Sequence, residues 1–268
     1  RLFCYTLGRL SQPKRSDLMR YILQWILSLV FVIQMYGSLV VISIVYFPYA
    51  ILSRKGAQAA CLSFGTWVVF SAKWLIGLTA EIRGEVPDTG VLIASKHQSF
   101  FDIILLFSVL RTPRFVMKSE LRWVPFLGYY ALRIGCVPVN RGKRGAAIAK
   151  MISDVKSGYT PAGQLIIYPQ GTRVPPGVQM PYKVGTAILY RQLGQPCVPV
   201  ATNVGLFWPK RGIYRKPGRA VLEFLPIIPP GEKTHDFMAC IEDVVETASN
   251  ALMEEVDFSQ PVPAQGKL

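Results

Sequence analysis

From Ile22 to Leu52 the chain carries no charged residue. As one helix these 31 residues would reach about 46 Å, against a hydrocarbon core of about 30 Å. The segment is therefore either a tilted span with interfacial ends or a bent pair of shorter helices, with Gly37 and Pro48 as the bend points. Its apolar run is too long for a cleaved signal peptide. Arg9, Lys14, Arg15 and Arg20 precede it, and Arg54 and Lys55 follow. Basic residues at both ends give no clean orientation, whereas a re-entrant hairpin would put both flanks on the cytoplasmic face. A second apolar stretch, 59–78, carries Trp67, Lys73 and Trp74. Lys73 argues against a full span. Two readings stay open, an interfacial helix or a core helix of the following domain.

After about Ala80 the pattern changes to short apolar runs separated by turns and amphipathic stretches. Strands are predicted at 91–95, 115–118, 134–139, 165–168, 198–202 and 220–225. Helices are predicted at 102–110, 144–157, where Ile148, Ile152 and Val155 form one stripe, at 182–193 and at 234–255. Alternating elements of this kind argue an α/β fold with a largely parallel or mixed sheet. The tail 259–268 is polar and proline-containing and reads as disordered.

At 268 residues the chain has ample length for one core. Apolar residues make up 51% and the mean hydropathy is +0.31, which points to membrane contact. Thirty basic against 16 acidic residues give a net charge of +14. That excess suits an anionic membrane, nucleic acid or acidic substrates. Nucleic acid fits worst, because no recognised binding motif accompanies the charge and a long apolar segment does. The five cysteines, Cys4, Cys61, Cys136, Cys197 and Cys240, have no paired metal spacing. They fit buried thiols in a reducing compartment.

The chemistry starts at HQSFFD, His97 to Asp102. Five residues on a helix would put the two side chains about 140° apart, but a turn from strand 91–95 into helix 102–110 can bring them together. The carboxylate would then fix the imidazole tautomer and raise the basicity of its free nitrogen. The competing reading makes Asp102 a helix cap and His97 a satisfied loop residue. Cys136, inside predicted strand 134–139, reads as inert packing. Arg141 and Arg173 follow predicted strands, at the sheet edge where α/β folds bind ligands. Arginine grips phosphate oxygens bidentately, Gly171 allows close backbone approach, and Thr172 offers a hydroxyl. His235 is assigned no role.

Four blocks, HQSFFD, PVNRGKR (138–144), YPQGTR (168–173) and CVPVATN (197–203), resemble in this order the glycerolipid acyltransferase family, most closely bacterial 1-acylglycerol-3-phosphate acyltransferases. The resemblance covers roughly residues 80–231. It implies a mixed sheet flanked by helices behind an N-terminal hydrophobic helical membrane anchor. The chain would divide into an anchoring region, 1–79, a catalytic domain, 80–258, and the tail. The implied activity moves a fatty acyl group from acyl-CoA or acyl carrier protein to the free hydroxyl of 1-acylglycerol-3-phosphate, giving phosphatidic acid. By the same resemblance His97 is the general base and Asp102 orients it, with no covalent acyl-enzyme. Arg141, Gly171, Thr172 and Arg173 bind the acceptor phosphate, while Pro199 and Val200 either wall the acyl chain or pack as a plain core strand. Lys183 stands where a basic residue often follows the third block, and with Gln170 it is a positioning candidate. Gln170 replaces the family's usual glutamate, and Asn140 replaces an acidic residue, so both changes make the pocket less negative. No metal and no cofactor beyond the acyl donor are expected. The expected partners are the bilayer, a lysophospholipid and the acyl donor. The expected location is a bacterial inner membrane, with the catalytic domain on the cytoplasmic face. Two alternatives stay open: O-acylation of another lysolipid such as a lyso-ornithine lipid, and a non-catalytic lipid-binding protein of the same fold.

Overall fold

Helix α1 runs from Arg15 to Leu52 and contains Pro48. The computed structural model describes residues 15–139 and 163–256, with 149 and 153 as isolated helical positions. The reversal expected at Gly37 or Pro48 comes instead at Ser53. There the uncharged run ends, and an extended backbone lets the serine hydroxyl accept the Lys55 N–H at 3.1 Å. That hydrogen bond caps helix α2, Arg54–Ile76. The two helices lie antiparallel. Gln34 donates to Ser71 and accepts from Trp67, while Tyr46 and Ser63 share a hydrogen bond. Near the turn the backbones touch at Gly56, where an added Cβ would sit 2.5 Å from the Tyr49 carbonyl.

Both helices are long and apolar enough to cross a membrane. The outer face of α1 leaves Ile22, Ile26, Ile33, Val41, Ile44 and Val45 exposed, while Phe31 and Met35 are covered. Helix α2 packs inward. Its Ala57, Ala60, Val68, Ala72 and Ile76 share one apolar core with Phe101, Ile104 and Leu105. Trp67, Phe70 and Trp74 stay on its exposed side. The core-helix reading of the second apolar stretch thus holds for its inner face, and the core runs continuously across residues 79 and 80.

Gly77, at φ 66°, stops α2 and releases strand β1, Leu78–Arg83. The apolar pattern had merged the start of this strand with the preceding helix. Then follow β2 (Leu92–Ser95), α3 (Phe101–Val109), β3 (Pro113–Lys118), a 3-10 turn (Ser119–Trp123), α4 (Leu127–Ile134), β4 (Val137–Val139), β5 (Gln164–Ile167), α5 (Gly185–Leu193), β6 (Cys197–Thr202), β7 (Gly218–Phe224) and α6 (Thr234–Glu254). The seven described strands form one mixed sheet, ordered β1-β7-β6-β2-β5-β3-β4. Only the β6–β7 pair is antiparallel. Strands β6, β2, β5, β3 and β4 therefore bring their carboxyl ends to one edge.

One expected strand, 134–139, is corrected. Ile134 ends α4, Gly135 turns the chain at φ 93°, and only Val137–Val139 is extended. Gly135 cannot hold a helix past its left-handed cap, whereas the branched Val-Pro-Val run suits a strand. The expected helix 144–157 and the tail 259–268 lie outside the described residues, apart from helical positions 149 and 153. Alternation along the strands feeds two apolar layers. Ile93, Ile166, Val198 and Val200 face the α2–α3 side, while Leu92, Ala94 and Leu165 face Tyr190 of α5 and Phe237 and Ile241 of α6. The thiols only partly match expectation. Cys136 and Cys197 are buried and Cys61 is half-buried, but Cys240 is exposed on α6.

Gly56→Ala should destabilise the protein by about 1–3 kcal/mol, because its Cβ meets backbone rather than a movable side chain. Thermal unfolding in detergent, compared with Gly37→Ala, where nothing lies within 4 Å of the new Cβ, separates this contact from a general helix effect.

Candidate active site

The loop 96–100 carries the chain from β2 into α3, and its geometry is set by a reciprocal cap. Ser99 Oγ accepts the Phe101 N–H at 3.2 Å, and Asp102 Oδ2 accepts the Ser99 and Gln98 N–H groups at 2.9 Å each. Ser99 stands one residue before the N-cap residue Phe100, so the exchange closes the loop just ahead of the helix, where a carboxylate is favoured. Asp102 Oδ1 lies 2.9 Å from His97 Nδ1 and accepts the Tyr168 hydroxyl at 3.2 Å. Asp102 is 0% exposed. Its backbone and phenol partners all donate, which an ionised carboxylate requires. Nδ1 must then carry its proton, leaving the lone pair on Nε2. Among the described residues Nε2 has no protein partner. The imidazole is 13% exposed. The cap and the imidazole–carboxylate pair, set against each other in the sequence, are two duties of one side chain.

Tyr168, one residue beyond β5, was not singled out by sequence. Its ring stacks on the imidazole at 3.8 Å between centroids and 18° between planes. Burial first, and the Asp102 charge second, hold its pKa well above the usual phenol range, so it stays a neutral donor. Nothing local signals this contact, because Tyr168 and Asp102 are 66 residues apart.

The third block folds into a turn closed by the Gly171 N–H on the Tyr168 carbonyl at 2.8 Å, with Gly171 at φ 69°. The Val174 N–H then bonds the His97 carbonyl at 2.8 Å, fixing this turn beside the histidine. Lys183 Nζ would lie 2.8 Å from a Cβ at Gly171, which places the ammonium against this turn, while the positive φ is what favours glycine there. Arg173 Nη1 donates to the Lys210 carbonyl at 3.3 Å. Lys210 Nζ returns to the Arg173 carbonyl at 2.9 Å and lies 3.5 Å from Thr172 Oγ1. Arg173, Lys183 and Lys210 thus form a cationic shelf around the turn. Lys210 was missed because nothing in the sequence joins the stretch after β6 to the third block. Lys118 was also not singled out. It ends β3 on the same sheet edge, exposed and in register with Val139.

The other candidates fall differently. Arg141 and Asn140 lie outside the described residues. Gln170 turns inward, 1% exposed, and donates to the Met180 carbonyl at 3.2 Å and to Glu246 Oε1 at 3.4 Å. Pro199 and Val200 are covered in β6, and Val200 belongs to the apolar core. His235 is exposed beside Asp236. Cys136 accepts the Phe115 N–H at 3.3 Å, and burial pushes its thiol up to about 12. Among the described residues no group of three or more His, Cys, Asp or Glu is placed to hold a metal ion.

A histidine held on a buried carboxylate, beside a cationic shelf at the carboxyl edge of a mixed sheet, is an arrangement suited to group transfer on an anionic substrate. Residues 78–203 match the Acyltransferase family model. That match marks this region as an acyltransferase domain. A 1-acyl-sn-glycerol-3-phosphate acyltransferase of Pseudomonas aeruginosa is 28% identical over 173 residues, covering 64% of this chain and 66% of that protein. The mouse 1-acyl-sn-glycerol-3-phosphate acyltransferase alpha is 24% identical over 228 residues, covering 82% and 79%. The crystal structure of the 1-acyl-sn-glycerophosphate acyltransferase PlsC of Thermotoga maritima has the same fold, with a TM-score of 0.73 and 22% identity. That likeness covers 87% of this chain and 99% of the other.

A brief alkylation of the native protein near neutral pH should modify Cys240 and spare Cys136, as read by peptide mass spectrometry. Cys136 should react only after denaturation, because its thiol stays protonated and covered.

Proposed function

We propose that this protein transfers a fatty acyl group from a thioester to the free hydroxyl of 1-acylglycerol-3-phosphate, forming phosphatidic acid. The observation that carries this reading is His97, its Nδ1 committed to Asp102 and its Nε2 unpartnered among the described residues, beside the shelf of Arg173, Lys183 and Lys210. Nε2 takes the proton of the acceptor hydroxyl as that oxygen attacks the thioester carbon. The new C–O bond gives a tetrahedral oxyanion. Its collapse breaks the C–S bond, and the imidazolium returns the proton to the departing thiolate. A thioester is already activated, so no acyl-enzyme is needed. The donor is acyl-CoA or acyl carrier protein, and no other cofactor takes part.

The acceptor phosphate is assigned to Arg173 with Thr172 and the glycine turn, to Lys210, and to Arg141 on the strength of the resemblance. The exposed apolar face of α1 supports membrane attachment, and the excess of basic residues adds attraction to anionic headgroups. That attraction is worth about 1 kcal/mol per well-placed charge and is screened by salt. A bacterial inner membrane, with the site on its cytoplasmic face, fits these features.

The test is acyl transfer by the purified full-length chain over a panel of lysolipids with both donors. 1-Acylglycerol-3-phosphate should be the preferred acceptor; transfer only to a lysolipid lacking phosphate would refute the assignment. His97→Ala should lower turnover about 10²-fold or more. Arg173→Ala and Lys210→Ala should raise KM for the phosphorylated acceptor more than for the donor.

Membrane attachment through α1 is checked separately. Detergent should extract the full-length protein from membranes and high salt should not. Release by salt alone would mean that the apolar face of α1 is covered by something other than lipid.

A further inference from the structure

Lys96 precedes His97 and is 3% exposed. Its ammonium sits 2.6 Å from each carboxylate oxygen of Glu246. Glu246 lies on α6, 150 residues along the chain and outside the matched region 78–203. The same Oε1 accepts the Tyr182 hydroxyl at 2.9 Å and is approached by Gln170 Nε2 at 3.4 Å. One carboxylate therefore gathers the residue before the base, the buried residue of the phosphate turn and the tyrosine that follows that turn. The Lys96 backbone is itself held to the Val200 carbonyl at 2.9 Å. Neither Glu246 nor Gln170 touches His97 or Asp102.

The hydrogen-bonded cluster sets a single ammonium against Glu246, with Glu242 adding negative charge near Tyr182. One ammonium faces one carboxylate, and the other two groups are neutral donors. A carboxylate at position 170 would present an acceptor to an acceptor across 3.4 Å and put two negative charges on a single buried ammonium.

We propose that Glu246 is a positioning residue that sets the separation between His97 and the turn carrying Gly171, Thr172 and Arg173, and that the uncharged Gln170 is its obligatory complement. The proposal rests on the acyl-transfer reading of the site. Small misplacements of a reacting group are expensive, about 10²-fold in rate for about 1 Å, so the clamp is read in turnover.

The experiment uses full-length wild type, Gln170→Glu, Glu246→Gln and the double variant in detergent. The measurements are kcat and KM for the acceptor, taken well below each thermal midpoint. Each single variant should lose about tenfold or more in kcat. The double variant returns a donor–acceptor pair to the 170–246 contact while Lys96 faces an amide in place of its carboxylate, and should recover part of that loss. A purely structural role would lower the thermal midpoint without a kcat loss that the exchange reverses. If one single variant does not fold, the other still forms the comparison with the double. Wild-type kcat in Gln170→Glu, or a double no better than its worse parent, would overturn it. A wild type inactive on every lysolipid would sink the acyl-transfer reading and the clamp with it; an active wild type without rescue sinks the clamp alone.

Discussion

The carboxylate of Asp102 is the constraint on which the site depends. It is fully buried, and an ionised group removed from water survives only when its acceptor positions are filled. Here two backbone N–H groups, one imidazole and one phenol fill them. The backbone donors belong to the loop that the carboxylate caps, and the phenol comes from beyond β5. Rotating the imidazole away would strand part of this set. The direction of Nε2 is therefore fixed by the same interactions that start α3. The β2–β5 register, with Leu92 opposite Leu165, sets how far Tyr168 reaches.

That centre is joined mechanically to the apolar hairpin. Phe31 of α1 meets Trp208 edge-on at 5.5 Å, and Trp208 stacks on Phe101 at 5.2 Å, next to Asp102. Gln24 donates to the carbonyls of Ile76 and Arg215, and the Arg215 N–H bonds Ser28. The Arg215 guanidinium lies 4.5 Å from the Trp208 ring centre. At the other end of α1, Arg133 of α4 holds the Ala50 and Ile51 carbonyls. The hairpin is thus fastened along its length rather than tethered at one point. Burying the outer face of α1 in lipid would set the position of the His97 edge relative to the bilayer.

What was legible in the sequence was what short range decides. The strand–turn–helix around HQSFFD, the mixed sheet and the long apolar helix follow from patterns within about a dozen residues. The misses are long-range or hinge on one residue. Strand β1 exists because residues 78–83 pair with 218–223, and no local pattern separates it from the helix before it. The hairpin reverses at Ser53 because a cap can form there, while Gly37 and Pro48 are tolerated inside a helix that neighbours support. Tyr168, Lys210 and Glu246 join the site across gaps of 66, 38 and 150 residues, distances at which spacing carries no information. Gln170 was legible as a lost charge. Its consequence was not, because the carboxylate it faces comes from the last helix.

The hydroxyls and thiols near the base bear on how the acyl group moves. Ser99 Oγ is engaged by the Phe101 N–H, and Ser95 Oγ donates to the Lys96 carbonyl. Both are buried. Thr172 Oγ1 belongs to the cationic shelf, next to Lys210. The Cys136 thiol is covered and pushed up to about 12 by burial. A covalent route through Ser95, Ser99 or Cys136 would need the group to leave its partner, lose a proton at neutral pH and face a bulky thioester from inside the core. A substrate hydroxyl arriving at Nε2 from solvent meets none of those barriers. These buried, engaged groups are consistent with the proposed single displacement, in which the base would serve the acceptor directly.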